Sequence, residues 1–238
     1  MQIPSYDQIE LDRVDSTNRF LKDHIKTHLV SRPLICTTRQ QTSGYGQRQR
    51  VWLTTDRSCI FSIAYPLSEG LKPDPCLSLK VATALHQALH QLTAQALWLK
   101  WPNDLFDQRG KVAGILIEVA KTQLNKPCLI IGIGINRQPL TPEQIAVGAS
   151  AVAFFDHQVL LNQLMTRLES LDFTKQDWVY WTQHDYFLKG EPLNLLSTLD
   201  SSVQQAVYQG ISYQGAALVK TLESDLALVS SQWSLRKG

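Results

Sequence analysis

Short, strand-length runs of apolar residues recur along almost the whole of this 238-residue chain. Residues 9–14 alternate between apolar and polar, whereas residues 129–135 are nearly all apolar, as in a strand buried on both faces. Similar runs at 34–38, 59–67, 97–101 and 112–119 are separated by glycine, proline and polar turns. The pattern predicts a folded domain in which strands supply much of the core.

Composition narrows the class of protein. Apolar residues make up 44% of the chain and charged residues 18%, a balance that disordered chains do not show. The net charge of +2 gives no strong field for nucleic acid or anionic lipid. No apolar stretch reaches the roughly 18 residues of a membrane span and no secretion signal is evident, so we expect a cytoplasmic protein. Its four cysteines, which form no C-x-x-C pair, are expected to be reduced core residues.

Helical periodicity is confined to a few stretches. Asp15-Ser16-Thr17-Asn18 supplies N-cap chemistry for a helix whose Leu21, Ile25 and Leu29 share one face, although the same polar groups could meet a ligand. Further helices are predicted from Pro75, at 156–171 and at 175–188. Alternating runs then return at 193–196, 203–211, 216–222 and 226–233, which predicts a small β-barrel of about 50 residues.

A long polar segment, residues 39–52, combines two glycines with three arginines and two aromatic residues. Glycine lets backbone N–H groups approach an anion closely, and arginine offers planar, bidentate donors to phosphate. The segment is therefore a candidate phosphate site, while a solvated turn would account for the same composition.

A second signal lies in Lys100-Trp101-Pro102-Asn103-Asp104. Proline ends the strand and places Asn103 and Asp104 at its end. Lys111 opens the next strand, so its ammonium is expected to face the Asp104 carboxylate across one turn. The alternative is a surface ion pair worth under about 1 kcal/mol.

The glycines in 131–136 resemble part of a dinucleotide-binding fingerprint, but Arg137 stands in place of the third glycine and Pro139 prevents the helix that should follow. These glycines are expected instead to let a ligand or another part of the backbone approach the strand. Asn136 is either a turn former or a phosphate and metal contact. The histidine pairs His24/His28 and His86/His90 lack a third ligand and are interpreted as ordinary helix residues.

Four segments, taken in order, resemble the motifs of biotin protein ligases. They are DSTN at 15–18, QQTSGYGQRQRVW at 40–52, KWPNDLFDQRGKVAGILIE at 100–118 and GIGIN at 132–136. In that family the second block usually reads Q-x-x-G-R-G-R-x-x-R-x-W, and the third K-W-P-N-D followed by K-x-x-G-I-L-x-E. The tail, at 187–192 and 233–236, resembles the family's SH3-like carboxy-terminal domain. The family's winged-helix domain would precede Met1 and is expected to be absent.

The resemblance implies an α+β fold: a mixed β-sheet with helices on one side, as in class II aminoacyl-tRNA synthetases and biotin synthetases, plus a small SH3-like β-barrel. It implies a catalytic domain that binds biotin and ATP at residues 1–185 and an SH3-like domain at 186–238.

The resemblance also implies a two-step reaction. Biotin and ATP give biotinoyl-5′-AMP and pyrophosphate, and a lysine of a biotin carboxyl carrier protein then takes the biotinyl group. In the first step a carboxylate meets a phosphate, a repulsion of about 4 kcal/mol at 4 Å with an effective dielectric constant near 20. Lys111 is the candidate for bridging these anions, with Arg48 or Arg50 and Mg²⁺ on the triphosphate. No side-chain motif indicates a separate metal site.

Motif position assigns the individual site residues. The biotin site would comprise Ser16, Thr17, Asn18, Gln41, Gly44, Tyr45, Gly46, Lys111 and Gly114, and the ATP site Arg48, Arg50, Trp52, Asn103, Asp104, Lys111, Asn136 and Arg236. Lys111, Asp104 and Arg48 would be the catalytic residues. Asp104 would hold the carrier lysine and assist its deprotonation. Trp52 is equally compatible with packing in the core.

The chain departs from the motif at Gly44-Tyr45-Gly46-Gln47, where the family usually has Gly-Arg-Gly-Arg. The second of those arginines helps to hold the adenylate in the family. Gln47 therefore predicts weaker retention of the intermediate, unless Arg39, Arg48 or Arg50 substitutes for it.

Two other functions fit parts of the sequence. Lipoate and octanoate protein ligases share the fold and the acyl-to-lysine chemistry, but their arginine-glycine-glycine loop is not seen. A biotin-binding sensor module would use the same pocket without transfer. With a net charge of only +2, direct DNA binding is not expected, and a homodimer is left open by the sequence.

Overall fold

The computed structural model describes residues 5–67, 76–172, 175–228 and 232–238. Its larger sheet contains β1 (Asp7–Val14), β2 (Leu34–Gln41), β3 (Cys59–Pro66), β4 (Trp98–Lys100), β5 (Asp104–Phe106), β6 (Lys111–Lys121) and β7 (Pro127–Ile135). The strand order is β1-β2-β3-β7-β6-β5-β4. Because β1 and β2 run parallel and the other neighbouring strands antiparallel, the sheet is mixed, as expected.

Helices cover both faces of this sheet. They are α1 (Thr17–Thr27), α2 (Leu77–Thr93), α3 (Pro142–Ala146), α4 (His157–Glu169) and α5 (Val179–Gln183). Leu21 and Ile25 of α1 pack in a cluster with Ile130, whereas α2 and α4 pack in the main cluster with Ile131. Consecutive strand residues point to opposite faces. The expectation of helices on one side only is therefore wrong, because strands that are apolar on both faces need cover on both.

Some helix boundaries also differ from expectation. Leu29 lies beyond α1 and is 69% exposed, so it does not share the buried face. Pro75 lies outside the described residues, and α2 begins at Leu77. The helix expected at 175–188 is reduced to α5, because the chain then turns to bond with β4. Leu99 donates to the His184 carbonyl at 2.7 Å and accepts from the Tyr186 N–H at 2.9 Å.

A second, antiparallel sheet forms the carboxy-terminal part. It contains β8 (Pro192–Ser197), β9 (Val203–Ile211), β10 (Ala217–Lys220), β11 (Asp225–Leu228) and β12 (Trp233–Lys237), in the order β11-β10-β9-β8-β12. The run predicted at 226–233 divides into β11 and β12, with residues 229–231 outside the described part. Within the described residues no ladder joins β11 to β12, so the sheet is open and the expected closed barrel is not formed.

The two sheets share one core. Tyr208 and Leu235 of the smaller sheet belong to the same apolar cluster as α2 and the larger sheet. All four cysteines are buried in the core, as expected, and the described residues hold no disulfide bond. In the described parts of the chain, no helix has the length and apolar character needed to cross a bilayer.

Candidate functional site

A cavity of about 790 Å³ lies on the face of the larger sheet that also carries α1. Its volume is in the range of small-molecule sites. The lining comes from the start of α1, the loop after β2, the turn between β4 and β5, strands β6 and β7, and β12 of the smaller sheet. Both sheets thus contribute to one site.

Glycines form the floor of the cavity. Gly114 and Gly134 are directly opposite each other in the β6–β7 pairing. A Cβ atom on Gly134 would lie 2.5 Å from Cε2 of Trp52, and one on Gly132 would lie 2.4 Å from Oδ1 of Asn18. The expected close approach to these glycines is therefore made by side chains. The buried Trp52 indole nitrogen has no partner among the described residues, so its N–H can serve a ligand.

Polar groups converge where α1 begins. The N–H and the hydroxyl of Thr17 both donate to Oε1 of Gln41, at 2.9 and 3.1 Å. Ser62 Oγ lies 2.6 Å from Thr17 Oγ1 and 2.6 Å from Asn18 Oδ1. Ser16 occupies the N-cap position as predicted, but its hydroxyl makes no capping bond. Ser16 is 2% exposed and lines the cavity, so its hydroxyl is placed for a ligand.

Tyr45, which stands where the motif usually has its first arginine, is held by a charged network. Its hydroxyl donates to Oε2 of Glu118 at 2.8 Å, and Asn18 donates to the same oxygen at 2.8 Å. Lys22 contacts Oε1 of Glu118 at 2.9 Å and the Tyr45 hydroxyl at 3.1 Å. Burial favours the neutral acid, yet these three donors hold the pKa of Glu118 below its usual value.

The sequence did not assign roles to Lys22 or Glu118. They are 96 residues apart, and sheet topology brings them together. The one available signal is that Asn18 and Lys22 are four residues apart on α1, and thus on the same helix face.

The loop after β2 closes into a tight hairpin. The Trp52 N–H donates to the Gly44 carbonyl at 3.0 Å, and the Gly46 N–H donates to the Arg50 carbonyl at 2.8 Å. Arg48 and Gln49 have φ values of 57° and 59°, in the left-handed region that non-glycine residues rarely adopt. The hairpin carries Arg48 and Arg50 to the cavity lining.

Lys111 and Asp104 form the central charge pair. The Lys111 Nζ lies 2.6 Å from Oδ1 of Asp104, an ionic contact that does not have hydrogen-bond alignment. The Asp104 side chain is only 16% exposed, so this is not the solvated surface pair of the alternative interpretation. The expected facing of the two charges is confirmed. The Lys111 ammonium also lies 5.4 Å from the centre of the Trp52 ring.

Two buried amides fix the backbone around this pair. The Asn103 amide donates to the Ile115 carbonyl, and the Asn136 amide donates to the Lys111 carbonyl at 3.1 Å. Gln144 contacts Oδ1 of Asn136 at 3.5 Å. Asn103 and Asn136 line the cavity and also hold β6 in place.

Every predicted site residue lines this cavity except Gly44. Gly44 is packed behind Gln41, whose Nε2 would lie 2.7 Å from a Cβ at that position. The lining also includes charged residues to which the sequence assigned no role, Lys100 and Arg109.

Comparisons with known proteins identify similar chains. Residues 10–136 match the model of the biotin/lipoate A/B protein ligase family. The chain is 27% identical to the bifunctional ligase/repressor BirA of Escherichia coli over 220 residues, which cover 87% of this chain and 67% of that protein. It is 26% identical over 199 residues to a biotin–[acetyl-CoA-carboxylase] ligase of Paracoccus denitrificans, covering 76% and 82%. A solved biotin protein ligase from Aquifex aeolicus, in complex with biotin and ATP, superimposes with a TM-score of 0.79 at 28% identity, covering 98% of this chain and 99% of that one.

Proposed function

The chain belongs to the biotin/lipoate A/B protein ligase family, and we propose that it is a biotin protein ligase. It activates biotin with ATP and transfers the biotinyl group to a lysine of a biotin carboxyl carrier protein. Relatives with this named activity and a similar structure that binds biotin and ATP support the proposal. The observation that carries it is the Lys111–Asp104 pair in a cavity whose far end offers hydroxyl and amide groups.

Activation requires two anions to meet. A biotin carboxylate oxygen bonds to the α-phosphorus of ATP, the bond to the bridging oxygen breaks, and pyrophosphate leaves with the electron pair. Lys111 lies within the cavity, where its ammonium offsets the charge of both reacting groups. Arg48 and Arg50, in the loop after β2, face the triphosphate and neutralise part of its negative charge.

The biotin head group needs few polar contacts. Its neutral ureido ring and apolar thioether ring suit a pocket with directed donors inside apolar walls. Ser16, Thr17 and Gln41 provide the polar groups, with Asn18, Tyr45, Gly46 and Gly114 around them and Gly44 packed behind Gln41. Trp52 lies directly on the glycine floor, against Gly114 and Gly134, and closes this space from there.

Transfer requires a neutral amine. A lysine with an ordinary pKa near 10.4 is less than about one part in a thousand neutral at pH 7. Asp104 accepts its proton as the amine attacks the acyl carbon and AMP leaves. The nucleotide is held meanwhile by Asn103, Asn136, Trp52 and Arg236.

Mg²⁺ is proposed to enter with ATP. Of the cavity-lining residues that the structure describes, Asp104 alone carries a carboxylate. Because Asp104 is already paired with Lys111, this donor set fits an ion that would be held mainly by phosphate oxygens, with Asn136 as the protein group that would hold it. When bound, Mg²⁺ neutralises charge on the triphosphate.

We also propose how the chain divides into domains and where in the cell it acts. We place the division of the chain at residues 185 and 186, with 186–238 as an SH3-like domain, supported by the antiparallel sheet of β8–β12. We also propose a cytoplasmic location, because a reducing compartment suits four buried cysteines that form no disulfide bond.

Labelled biotin, ATP and an isolated carrier domain test the function. We expect label on a carrier lysine, together with biotin-dependent exchange of pyrophosphate into ATP. Parallel reactions with lipoate and octanoate should give no product. Transfer of lipoate in place of biotin would indicate a lipoate ligase, and biotin binding without adenylate formation would indicate a sensor module.

A further inference from the structure

Lys100, the last residue of β4, carries a buried cation without a counter-ion. The residue is 4% exposed and lines the cavity. Its ammonium lies 4.6 Å from the centre of the Phe106 ring and 5.9 Å from that of Phe187. Within the described part of the chain, no carboxylate forms an ion pair with it, because Asp104 contacts Lys111 instead. A buried ammonium in this situation is costly unless an external anion binds it.

The surroundings of Lys100 are strongly cationic. Lys111 of β6, Arg50 of the loop and Arg236 of β12 line the same cavity. Burial is the main cause that lowers the pKa of Lys100, to about 8. Asp104 opposes this shift, whereas Arg236, Lys111 and Arg50 add to it. Four cations from four separate elements therefore line a cavity in which, among the described residues, Asp104 is the single carboxylate, and a polyanion would neutralise this charge.

We propose that Lys100 is a catalytic residue of the activation step and binds the pyrophosphate that leaves the α-phosphorus. This inference rests on the proposed ligase function. Most of the triphosphate's negative charge departs with pyrophosphate. The adenylate keeps a single phosphate, and the one positive charge of Lys111 is enough to offset it. Lys100 and Arg50 thus correspond to the departing charge. Lys100 stabilises the bridging oxygen's electron pair as the phosphorus–oxygen bond breaks, and no proton is transferred.

Two aromatic rings keep the Lys100 ammonium charged and able to bind an anion. Phe106 and Phe187 stabilise the ammonium through their π-faces without neutralising it. The Lys111 pairing occupies the nearest carboxylate, so an incoming phosphate has no internal anion to displace from Lys100.

The test uses two variants of the full chain. Lys100→Met keeps an unbranched side chain but removes the charge, and Lys100→Arg keeps the charge. Lys237→Met is the matched control. The Lys237 ammonium also lies 4.6 Å from an aromatic ring, that of Tyr186, but it pairs with Glu191 at 3.0 Å and does not line the cavity. Two reactions are measured: biotin-dependent exchange of labelled pyrophosphate into ATP, and transfer to the carrier from chemically prepared biotinoyl-5′-AMP.

For Lys100→Met we expect the KM for pyrophosphate in exchange to rise by roughly tenfold or more, because a charge-assisted contact is lost. Transfer from the prepared adenylate should stay within about twofold, since that step involves no pyrophosphate. Lys100→Arg should restore part of the exchange, and Lys237→Met should leave both reactions unchanged. Equal losses in both reactions would assign Lys100 to the adenylate, and unchanged exchange would remove its role; either result overturns the inference.

Calorimetric binding of inorganic pyrophosphate separates this inference from the ligase function. If the wild-type protein catalyses neither reaction, the proposed function fails. Pyrophosphate binding that is lost in Lys100→Met and kept in Lys237→Met would still support the role of Lys100. Equal binding by all three proteins would contradict it.

Discussion

The indole of Trp52 lies directly against the backbone of Gly134, so closely that a Cβ atom there would sit 2.5 Å from the ring. Gly134→Ala should therefore displace Trp52 and narrow the cavity. We expect biotin-dependent pyrophosphate exchange to fall roughly ten- to hundredfold, from an overpacking cost of about 1–3 kcal/mol. Steady-state exchange kinetics check this prediction.

A double variant provides the control. If the conflict is with the indole, Gly134→Ala should add little in a Trp52→Ala background, because the clashing ring is already gone. Full activity of Gly134→Ala alone, or strictly additive losses, would show that Trp52 does not depend on this glycine.

The Lys111–Asp104 pair predicts a division between the two half-reactions. Lys111→Met should slow adenylate formation by about 10²–10³, as expected when a preorganised charge is removed. Asp104→Asn should act mainly on transfer from prepared adenylate, by about 10²–10⁴. Single-turnover assays of each half-reaction measure the two effects.

Both variants leave one charge of the pair without its partner, so folding must be checked independently. The double variant Lys111→Met/Asp104→Asn should unfold at a urea concentration closer to wild type than Lys111→Met does. If Asp104→Asn slowed both half-reactions to the same degree, its role as the base would be excluded.

The side chain at position 47 is expected to influence how long the biotinoyl-adenylate stays bound. Gln47 is half-buried and lines the cavity at the position where the motif usually has its second arginine. Gln47→Arg should add a charge-assisted contact to the adenylate phosphate and slow its release by about tenfold or more. Release is measured by chasing labelled adenylate from the protein. Slow release from the wild type, with no change in the variant, would show that another residue has replaced the arginine.

Lys100 predicts an unusual dependence of stability on pH. The folded-state pKa is lowered from 10.5 to about 8, so the cost of burying the ammonium is fully present below pH 8. Between these values the unfolded chain binds more protons, and the free energy of unfolding rises with pH. Lys100→Met removes the cost and should stabilise the protein at pH 7 by about 1–3 kcal/mol.

Urea unfolding near neutral pH and above about pH 9 tests this sign. The gain from Lys100→Met should shrink at the higher pH, while Lys237→Met should change stability little at either, as its ion pair is partly exposed. A variant that is destabilised equally at both values would show that Lys100 is not held as an unpaired cation.

Patterns in the sequence predicted many of the strands and helices but not how they pack against one another. The strand predicted at 203–211 coincides with β9, and the facing of Asp104 and Lys111 followed from their places at consecutive strand ends. By contrast, the packing of α1 on the face opposite α2 depends on how strands distant in sequence pair. The short strand β5 was missed because its three residues lie in a segment rich in turn-forming residues.

The site was predicted where motifs are local and missed where contacts are long-range. The Tyr45–Glu118 bond spans 73 residues, so no spacing rule could reveal it. Lys100 was overlooked because a lysine beside a turn is usually solvated, and its burial depends on Phe187, far along the chain. The placement of Arg236 beside the cavity came from the family resemblance alone, since the predicted run at 226–233 ended before Arg236.

The position of β12 makes activation depend on how the two sheets are docked. β12 pairs with β8 of the smaller sheet and brings Arg236 to the cavity, whereas Lys111 reaches the same cavity from β6 of the larger sheet. A small shift between the sheets would therefore withdraw one cation from the phosphate groups and leave Ser16 and Thr17 in place. The seam between the sheets thus sets the electrostatic strength of the site, although it lies apart from the biotin contacts.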